Sequence, residues 1–541
     1  MTGLIGNINQ RVEHHKYRAL LMILPMALVC GLWLYQSVSF PIHDYANSYF
    51  PAEMSVEGIP PETLVFDIYD YNRYIWHQGY SGIVSDFYLN SPFTATFFYP
   101  FALLSDAHQS KFLFNTLSIF LFLYALWWLF RRYQTVPAYM GLLLPFVTLM
   151  ALRNQVLFGQ SYMVVFALVI MAFMAYEKHR GLLAGGLLGT AIMIKVFPVF
   201  YAVPLLVNKR WRDIGWLAGA GLMLLLLSIW VSGSSFWQTY LFEVMPNAFA
   251  NESTTDFRPN AQSVDTFLRI LLVHDVYYNP GATWHAPALY KLLSGLCKGV
   301  VLGFAIMGSY QYREHLFRVL AIWVVALFLV QSRTGTYAQI LWIIPTIEFF
   351  RSVHTLRGRL LFIVLLGFIC NFPFPWLADF PLVVQFARLW ATLALAAVYV
   401  YHMKLKLSWR LFSIGILVML PLTVNGVISA LGQKDDASYV LKKKEHFVIY
   451  DFRQNAGFLE YSALGKGEDL RVKTDIEIGT FDSGACTLIN GQIYLGNQQI
   501  SFGPDIKKKP VLVDDCEVYY LTDHKSRRGA FTLKKIRVCT E

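Results

Sequence analysis

Residues 19–40 read ALLMILPMALVCGLWLYQSVSF, and residues 41–45 continue PIHDY. The first stretch carries no charge and is long enough for one bilayer crossing, which takes roughly 20 apolar residues as a helix. The second puts Asp44 four residues past that run, at the rim of the membrane, where an ionisable group is costly to hold without a purpose. Two readings of Asp44 stand at this point: a solvated loop carboxylate that helps end the first span, or a functional acid.

Outward from this stretch, the apolar blocks Leu113–Phe130, Ile214–Trp230, Val319–Val330, Leu360–Cys370 and Leu411–Val424 read as further spans or the cores of spans. The chain is 56% hydrophobic and only 15% charged, with mean hydropathy +0.44, and its apolar residues come in blocks rather than alternating. A mainly α, polytopic membrane protein is predicted. The formal charge of +10 does not imply nucleic acid, because its placement follows the apolar blocks. Short basic turns recur between them: Arg131-Arg132, Glu177–Arg180, Lys209–Arg212, Tyr312–His315, Arg351–Arg359 and Lys404–Arg410. Their Lys and Arg excess predicts a cytoplasmic location, shared by the N-terminus with Arg11, Lys16 and Arg18. The first run lacks a small-residue cleavage site and reads as a signal anchor.

The remaining loops differ. From Pro41 to Asn90 there are seven acids, Asp44, Glu53, Glu57, Glu62, Asp67, Asp70 and Asp86, against one base, Arg73. This loop region (about 41–110) and a second polar, aromatic one (about 233–290) are predicted outside. The apolar stretch Pro92–Leu104 is too short for an ordinary span and reads as a re-entrant or interfacial helix, leaving about 13 spans with N-in and C-out. Residues 1–430 form the membrane domain. After Leu431, stretches at Phe447–Tyr450, Leu470–Ile478, Leu488–Tyr494, Val511–Tyr520 and Phe531–Val538, separated by turn residues, predict a soluble exterior β domain over 431–541. It holds Cys486, Cys516 and Cys539; one pair bridging is open, and which pair is not legible. Cys30, Cys297 and Cys370, in apolar runs, read as small core hydrophobes.

Four blocks then carry a resemblance. The first runs Asp44-Tyr-Ala-Asn-Ser-Tyr-Phe-Pro-Ala52 through Gly58, Phe66-Asp67 and Tyr71-Asn72 to Asn90-Ser91-Pro92 and Pro100. The second is Phe158-Gly159-Gln160, the third Ala184-Gly185-Gly186 leading to Ile194-Lys195-Val196-Phe197-Pro198, and the fourth Asn260-Ala261-Gln262-Ser263 with Arg269. Together, over roughly residues 20–350, they resemble glycosyltransferase family 87, polyprenyl-phosphate-sugar-dependent enzymes of GT-C architecture that include mannosyltransferases. The resemblance implies a GT-C-type fold, a lipid-phosphate sugar donor, a hydroxyl acceptor on a glycan or glycolipid, a bacterial inner or plasma membrane location, and no metal or other cofactor. It casts Asp44 as the general base that takes the acceptor's proton.

The other candidates each have a plain alternative. His43 either tunes Asp44 or is incidental. Asp67, with Asp70, reads as part of a surface helix with Phe66, Tyr69, Tyr74 and Trp76 at the interface, or as a second carboxylate for sugar hydroxyls. Lys195, alone in an apolar segment with Pro198 and Pro204, either snorkels or binds the lipid phosphate. Arg258 and Arg269, around Asn260 and Gln262, are general headgroup contacts or specific donor-phosphate ligands, a guanidinium presenting a planar fork to phosphate. Gln160 is a helix-end polar group or a sugar partner. Relatives carry a histidine near Gln331–Tyr337; this chain has Tyr337 and Gln339 instead, with Arg333 as the nearest charge, so the histidine's role is in doubt and Arg333 is a phosphate ligand or a surface anchor.

There is no Walker motif, no dinucleotide fingerprint and no His-Glu-x-x-His, which argues against a soluble nucleotide-sugar donor. The glycines at 185, 186 and 189 suit close helix packing. A lipid transporter or flippase would explain the spans but not the acidic loop, and no internal repeat is seen. A polymerase or ligase working from a late loop is the other alternative.

Overall fold

Uncharged runs cannot leave peptide groups unpaired in hydrocarbon, so they fold as helices. The computed structural model is helical from Arg18 to Gly432, with a β region after it. It describes residues 17–66, 71–72, 74–75, 78–80, 83, 85–87, 90–246, 259–273, 279, 282, 284–406 and 408–432, and in the C-terminal region 449–455, 458–465, 468–477, 481–482, 484–489, 491–501, 507–513, 515, 517–522 and 532–538.

The helices are α1 (Arg18–Ser37), α2 (Ala46–Glu57), α3 (Phe93–Ala102), α4 (Ala107–Arg132), α5 (Met140–Val147), α6 (Leu149–Phe158), α7 (Tyr162–Glu177) and α8 (Gly181–Ile194). They continue with α9 (Trp211–Ser232), α10 (Val264–Leu272), α11 (Pro287–Gln311), α12 (Leu316–Val330), α13 (Ile343–Ser352), α14 (Leu356–Asn371), α15 (Ala387–Met403) and α16 (Trp409–Gly432). Among the described residues five helices, α1, α4, α9, α11 and α16, are long and apolar enough to cross a membrane. The pair α5 and α6, bent by 61° at its break, makes a sixth if counted as one span. The expected spans Val319–Val330 and Leu360–Cys370 fall in α12 and α14, which are shorter than a full crossing.

Exposure explains the two lengths. The long helices α1, α9 and α16 present Leu20, Leu24, Leu28, Leu222, Leu226, Trp230, Leu417 and Leu422 outward, the apolar surface a lipid-facing helix needs. By contrast α7 buries Met163–Ile170 without a gap, and α12 buries Val319–Phe328. Surrounded by protein, their ends are satisfied by neighbouring chain rather than by reaching water, so they are free to be short.

Small residues set the closest approaches. A Cβ on Gly185 of α8 would lie 2.7 Å from the Trp216 carbonyl carbon of α9, so the two backbones touch there, as expected of this glycine. Gly189 faces Ala220 in the same seam, while Gly186 points to open space. On α11, Gly295, Gly299 and Gly303 form a second such stripe against α16, with Gly303 meeting Gly415 backbone to backbone.

The stretch Pro92–Leu104 is the ten-residue α3, packed on α2, α9 and α4. Phe66 departs from its expected interfacial place. It is 6% exposed and packs on Phe87 and Phe236, because the loop folds its aromatics inward against α2 and the end of α9.

The C-terminal region forms antiparallel sheets of order β1-β2-β3, β10-β9-β8-β4 and β5-β6-β7. Its strands are β1 (Ile449–Asn455), β2 (Phe458–Gly465), β3 (Glu468–Glu477), β4 (Phe481–Asp482), β5 (Cys486–Ile489), β6 (Gln492–Leu495), β7 (Gln498–Gln499), β8 (Lys507–Val513), β9 (Glu517–Thr522) and β10 (Thr532–Arg537). The strands β2, β4 and β7 lie outside the stretches expected from the sequence. Cys486 is buried with Ile493, Leu512, Val518 and Tyr520; the other two cysteines of any bridge, Cys516 and Cys539, lie outside the described residues.

Candidate active site

After α1 the chain makes a single 3-10 turn, His43–Tyr45, before α2 begins. Ile42 and Tyr45 on either side are fully buried, and the Tyr45 hydroxyl lies 2.7 Å from Ser110 Oγ on α4. Lys111, one residue on and itself buried, donates to the Pro41 carbonyl at 2.7 Å. The Tyr71 hydroxyl donates to Ala46 O at 2.7 Å. Pinned at four points, the turn pushes His43 and Asp44 outward. His43 sits at φ 49, a left-handed conformation that costs free energy in a non-glycine residue and must be held by its surroundings.

Asp44 is then held by a hydrogen bond at one oxygen and approached at the other. Gln160 Nε2 donates to Oδ2 at 2.7 Å, and His43 Nδ1 stands 2.9 Å from Oδ1. The His43 ring lies flat on Phe158, with centroids 4.0 Å apart and planes at 9°. Thus Phe158-Gly159-Gln160, some 115 residues away in the chain, is the block that orients the acid. Gly159 explains its own identity: at φ +68 it makes the turn after α6, and a Cβ there would meet Tyr45 Cβ at 2.7 Å. The Asp44 side chain keeps 24% of its surface exposed, so a substrate hydroxyl can reach it.

Lys195 arrives from the other side. It caps α8 in an extended conformation, and Pro198 prevents the helix from continuing. Its Nζ donates to Asn90 Oδ1 at 2.8 Å and lies 5.9 Å from the Tyr162 ring centre. Next to Asn90, Ser91 bonds the Met193 carbonyl, so the block Asn90-Ser91 and the block Ile194-Lys195 are one physical unit. Asp44 is the carboxylate whose charge acts on both Lys195 and Lys111. Tyr162 completes the floor, stacked on Phe197 at 5.6 Å and leaning on Tyr337 at 5.3 Å.

The fourth block serves the frame around Arg333. Ser263 and Thr266 hydroxyls donate to Ser332 O at 2.6 and 2.9 Å, and Thr334 bonds Ala261 O through both its amide and its hydroxyl. Gln262, proposed from sequence as a substrate contact, is 4% exposed and spent on the fold: it donates to Pro259 O and Gln385 O and accepts from the Arg388 amide. Asn260 lies in the 3-10 turn Pro259–Ala261. Arg333 is half-buried in the turn so pinned, and Arg269 is half-buried on α10, whose N-cap Ser263 makes that bond. Asp67 and Arg258 lie outside the described residues.

Lys111, Tyr162, Asn90 and Arg388 were missed as participants. Arg388 is 6% exposed, bonds Thr336 Oγ1 at 3.1 Å and stacks on Phe374, behind the Arg333 turn. The signal for Arg388 was present, since like Lys195 it is a lone Lys or Arg in an apolar stretch, whereas Lys111 shares α4 with Arg131 and Arg132. Tyr162 and Asn90 carried no such mark.

The residues so gathered are a carboxylate hydrogen-bonded by Gln160, a lysine on a polar support, and an aromatic floor. That set can take a proton from a hydroxyl and hold an anion nearby. No curated protein matches the chain. A family model does, over a segment that contains Asn90, Gln160, Lys195 and the 260–263 block but begins after Asp44. Over residues 88–332, the chain is similar to glycosyltransferase family 87, a family of membrane glycosyltransferases.

Proposed function

We propose that the chain is an inverting GT-C-type glycosyltransferase that moves a sugar, a hexose such as mannose, from a polyprenyl-phosphate donor to an acceptor hydroxyl. In it Asp44 is the general base. The acceptor oxygen attacks the anomeric carbon while its proton passes to an Asp44 oxygen. The bond from that carbon to the phosphate oxygen breaks, and the electron pair leaves with the polyprenyl phosphate, a good leaving group that needs no acid. Direct displacement inverts the anomeric configuration.

One observation carries this assignment: a hydrogen bond from Gln160 fixes one oxygen of Asp44, His43 stands 2.9 Å from the other, and Lys195 stands within its electrostatic reach. An acid oriented in that way and left partly open suits proton abstraction. A cation on a neutral asparagine suits a phosphate arriving from the bilayer, since its charge is not already spent on a carboxylate. Arg333 and Arg269 would add to the phosphate seat, and Tyr162 with Tyr337 would form an apolar bed for the sugar ring.

In this assignment the site opens to the exterior, the shorter apolar helices also count toward about 13 crossings with N-in and C-out, and residues 431–541 form an accessory exterior domain. The acceptor is a glycan or glycolipid. The test is to incubate the purified protein in nanodiscs with a panel of polyprenyl-phosphate sugars and follow product and released polyprenyl phosphate by mass spectrometry. Asp44→Asn should cut turnover by roughly 10²–10⁴-fold, the scale of general-base catalysis, with donor binding retained. Transfer that survives the substitution overturns the role of Asp44.

A further inference from the structure

At the ends of α4 and α7 far from Asp44 lies a cavity of about 650 Å³. Lys111 and Arg132 are 21 residues apart on α4, about 31 Å at 1.5 Å per residue and close to one hydrocarbon thickness. The cavity thus opens at the opposite end of the bundle from Asp44, among the basic turns Arg131-Arg132, Glu177–Arg180, Lys209–Arg212 and Tyr312–His315.

Its floor is aromatic, and its wall carries the guanidiniums of Arg132, Arg210 and Arg351 together with the carboxylates of Glu177 and Glu314. Tyr133 packs on Phe317 at 4.7 Å and carries Arg132 and Arg351 against its ring, at 5.7 and 4.8 Å. Arg210 rests on Tyr176 and donates to its carbonyl at 2.8 Å. Two of the three guanidiniums are set in place from behind. Arg351 is bound at 2.7 Å by Glu348, which is fully buried and also takes Arg318; Arg210 is bound by Asp213 at 2.5 Å. The third is paired more loosely, Arg132 Nε standing 3.7 Å from Glu177 with its side chain 56% exposed. The imidazoles of His179 and His315 and the amide of Gln134 also line the cavity and make no hydrogen bond or ion pair among the described residues. The Tyr176 hydroxyl, buried at the same wall, has no partner either.

We propose that this cavity binds a phosphate group, independently of the Asp44 site. Preset guanidinium forks, spare imidazole and amide donors, and an aromatic floor that excludes water are what phosphate oxygens require. Basic pockets between helices at this membrane face take anionic lipid headgroups by the same chemistry. The phosphate is either that of an anionic lipid in the adjoining leaflet or a free ion from solution.

The experiment uses the full chain. Native mass spectrometry would compare retention of phosphatidylglycerol with that of phosphatidylcholine, and a thermal-shift titration with inorganic phosphate would probe the free ion. The variants are Arg132→Gln with His179→Gln, both on the exposed rim, and Arg351→Lys, which keeps a cation for Glu348 but loses the fork. Phosphatidylglycerol should be retained at least tenfold over phosphatidylcholine, and the rim double variant should remove most of that preference while sugar transfer at the Asp44 site stays intact. A shift with inorganic phosphate, abolished by the same variants and without lipid selectivity, supports the cavity with the free ion as ligand. No preference for either probe over phosphatidylcholine, or a preference that both variants leave unchanged, overturns the proposal.

Discussion

Asp44 owes its orientation to Gln160. Their 2.7 Å hydrogen bond is charge-assisted, a class worth about 1.5–3 kcal/mol. Gln160→Ala should therefore lower kcat by about 10–100-fold, with the donor KM little changed, in a steady-state assay of sugar transfer. Lys195→Met should act in the other direction. If Lys195 seats the phosphate, the donor KM rises and Lys195→Arg recovers part of the loss; a pure kcat effect would point to a role through Asp44 alone. Both residues were singled out from sequence by simple rules, a polar group at a helix end and a charge in an apolar run. That the two converge on Asp44 was not legible. The residues lie 35 positions apart and meet only because the turn after α6 and the end of α8 come to the same side of α7.

At the scale of elements, two junctions decide whether those residues meet. The turn between α6 and α7 depends on Gly159, whose positive φ and contact with Tyr45 leave no space for a side chain. Gly159→Ala should keep the protein expressed and folded but displace Gln160, so that activity falls at least as far as in Gln160→Ala. The second junction docks α10 onto α11. Asp265 is buried there and receives Lys298 at 2.8 Å, Ser294 at 2.5 Å and Tyr290 at 3.2 Å. Burial pushes its carboxyl upward, but the Lys298 charge and these three hydrogen bonds outweigh it and hold the acid below its ordinary range. A depressed folded value means the docking is fully stabilised above the ordinary carboxylate pKa and weakens as acid protonates the group. Hydrogen exchange should show α10 losing protection as pH falls through that acid range, and Asp265→Asn should show the loosened helix already at neutral pH.

Across the whole molecule, the acidic turn with Asp44 and the basic turns occupy opposite ends of the same helices, α4 and α7. The excess of basic residues in the turns predicts that this end is cytoplasmic, the sidedness proposed above. A cysteine at the exposed Glu57 should then react with a membrane-impermeant maleimide in intact cells, and one at the exposed Arg313 only after permeabilisation. The reverse pattern would invert the proposed sidedness and move the Asp44 site to the cytoplasm.

From residue order alone came the membrane class, the helical blocks, the β region at the C-terminal end, the family resemblance, and a short set of candidates with Asp44 at its head. These depend on local composition, since an apolar run must be helical in lipid wherever it sits. Tertiary structure decided which candidates share a site. It joined Gln160, His43 and Lys195 around Asp44, brought in Lys111, Asn90 and Tyr162, and assigned Gln262 to the frame. It also set which apolar helices are short, because burial inside the bundle frees their ends from having to reach water. Contacts of that kind depend on how distant segments pack, and no local pattern encodes the partner that a side chain meets a hundred residues away.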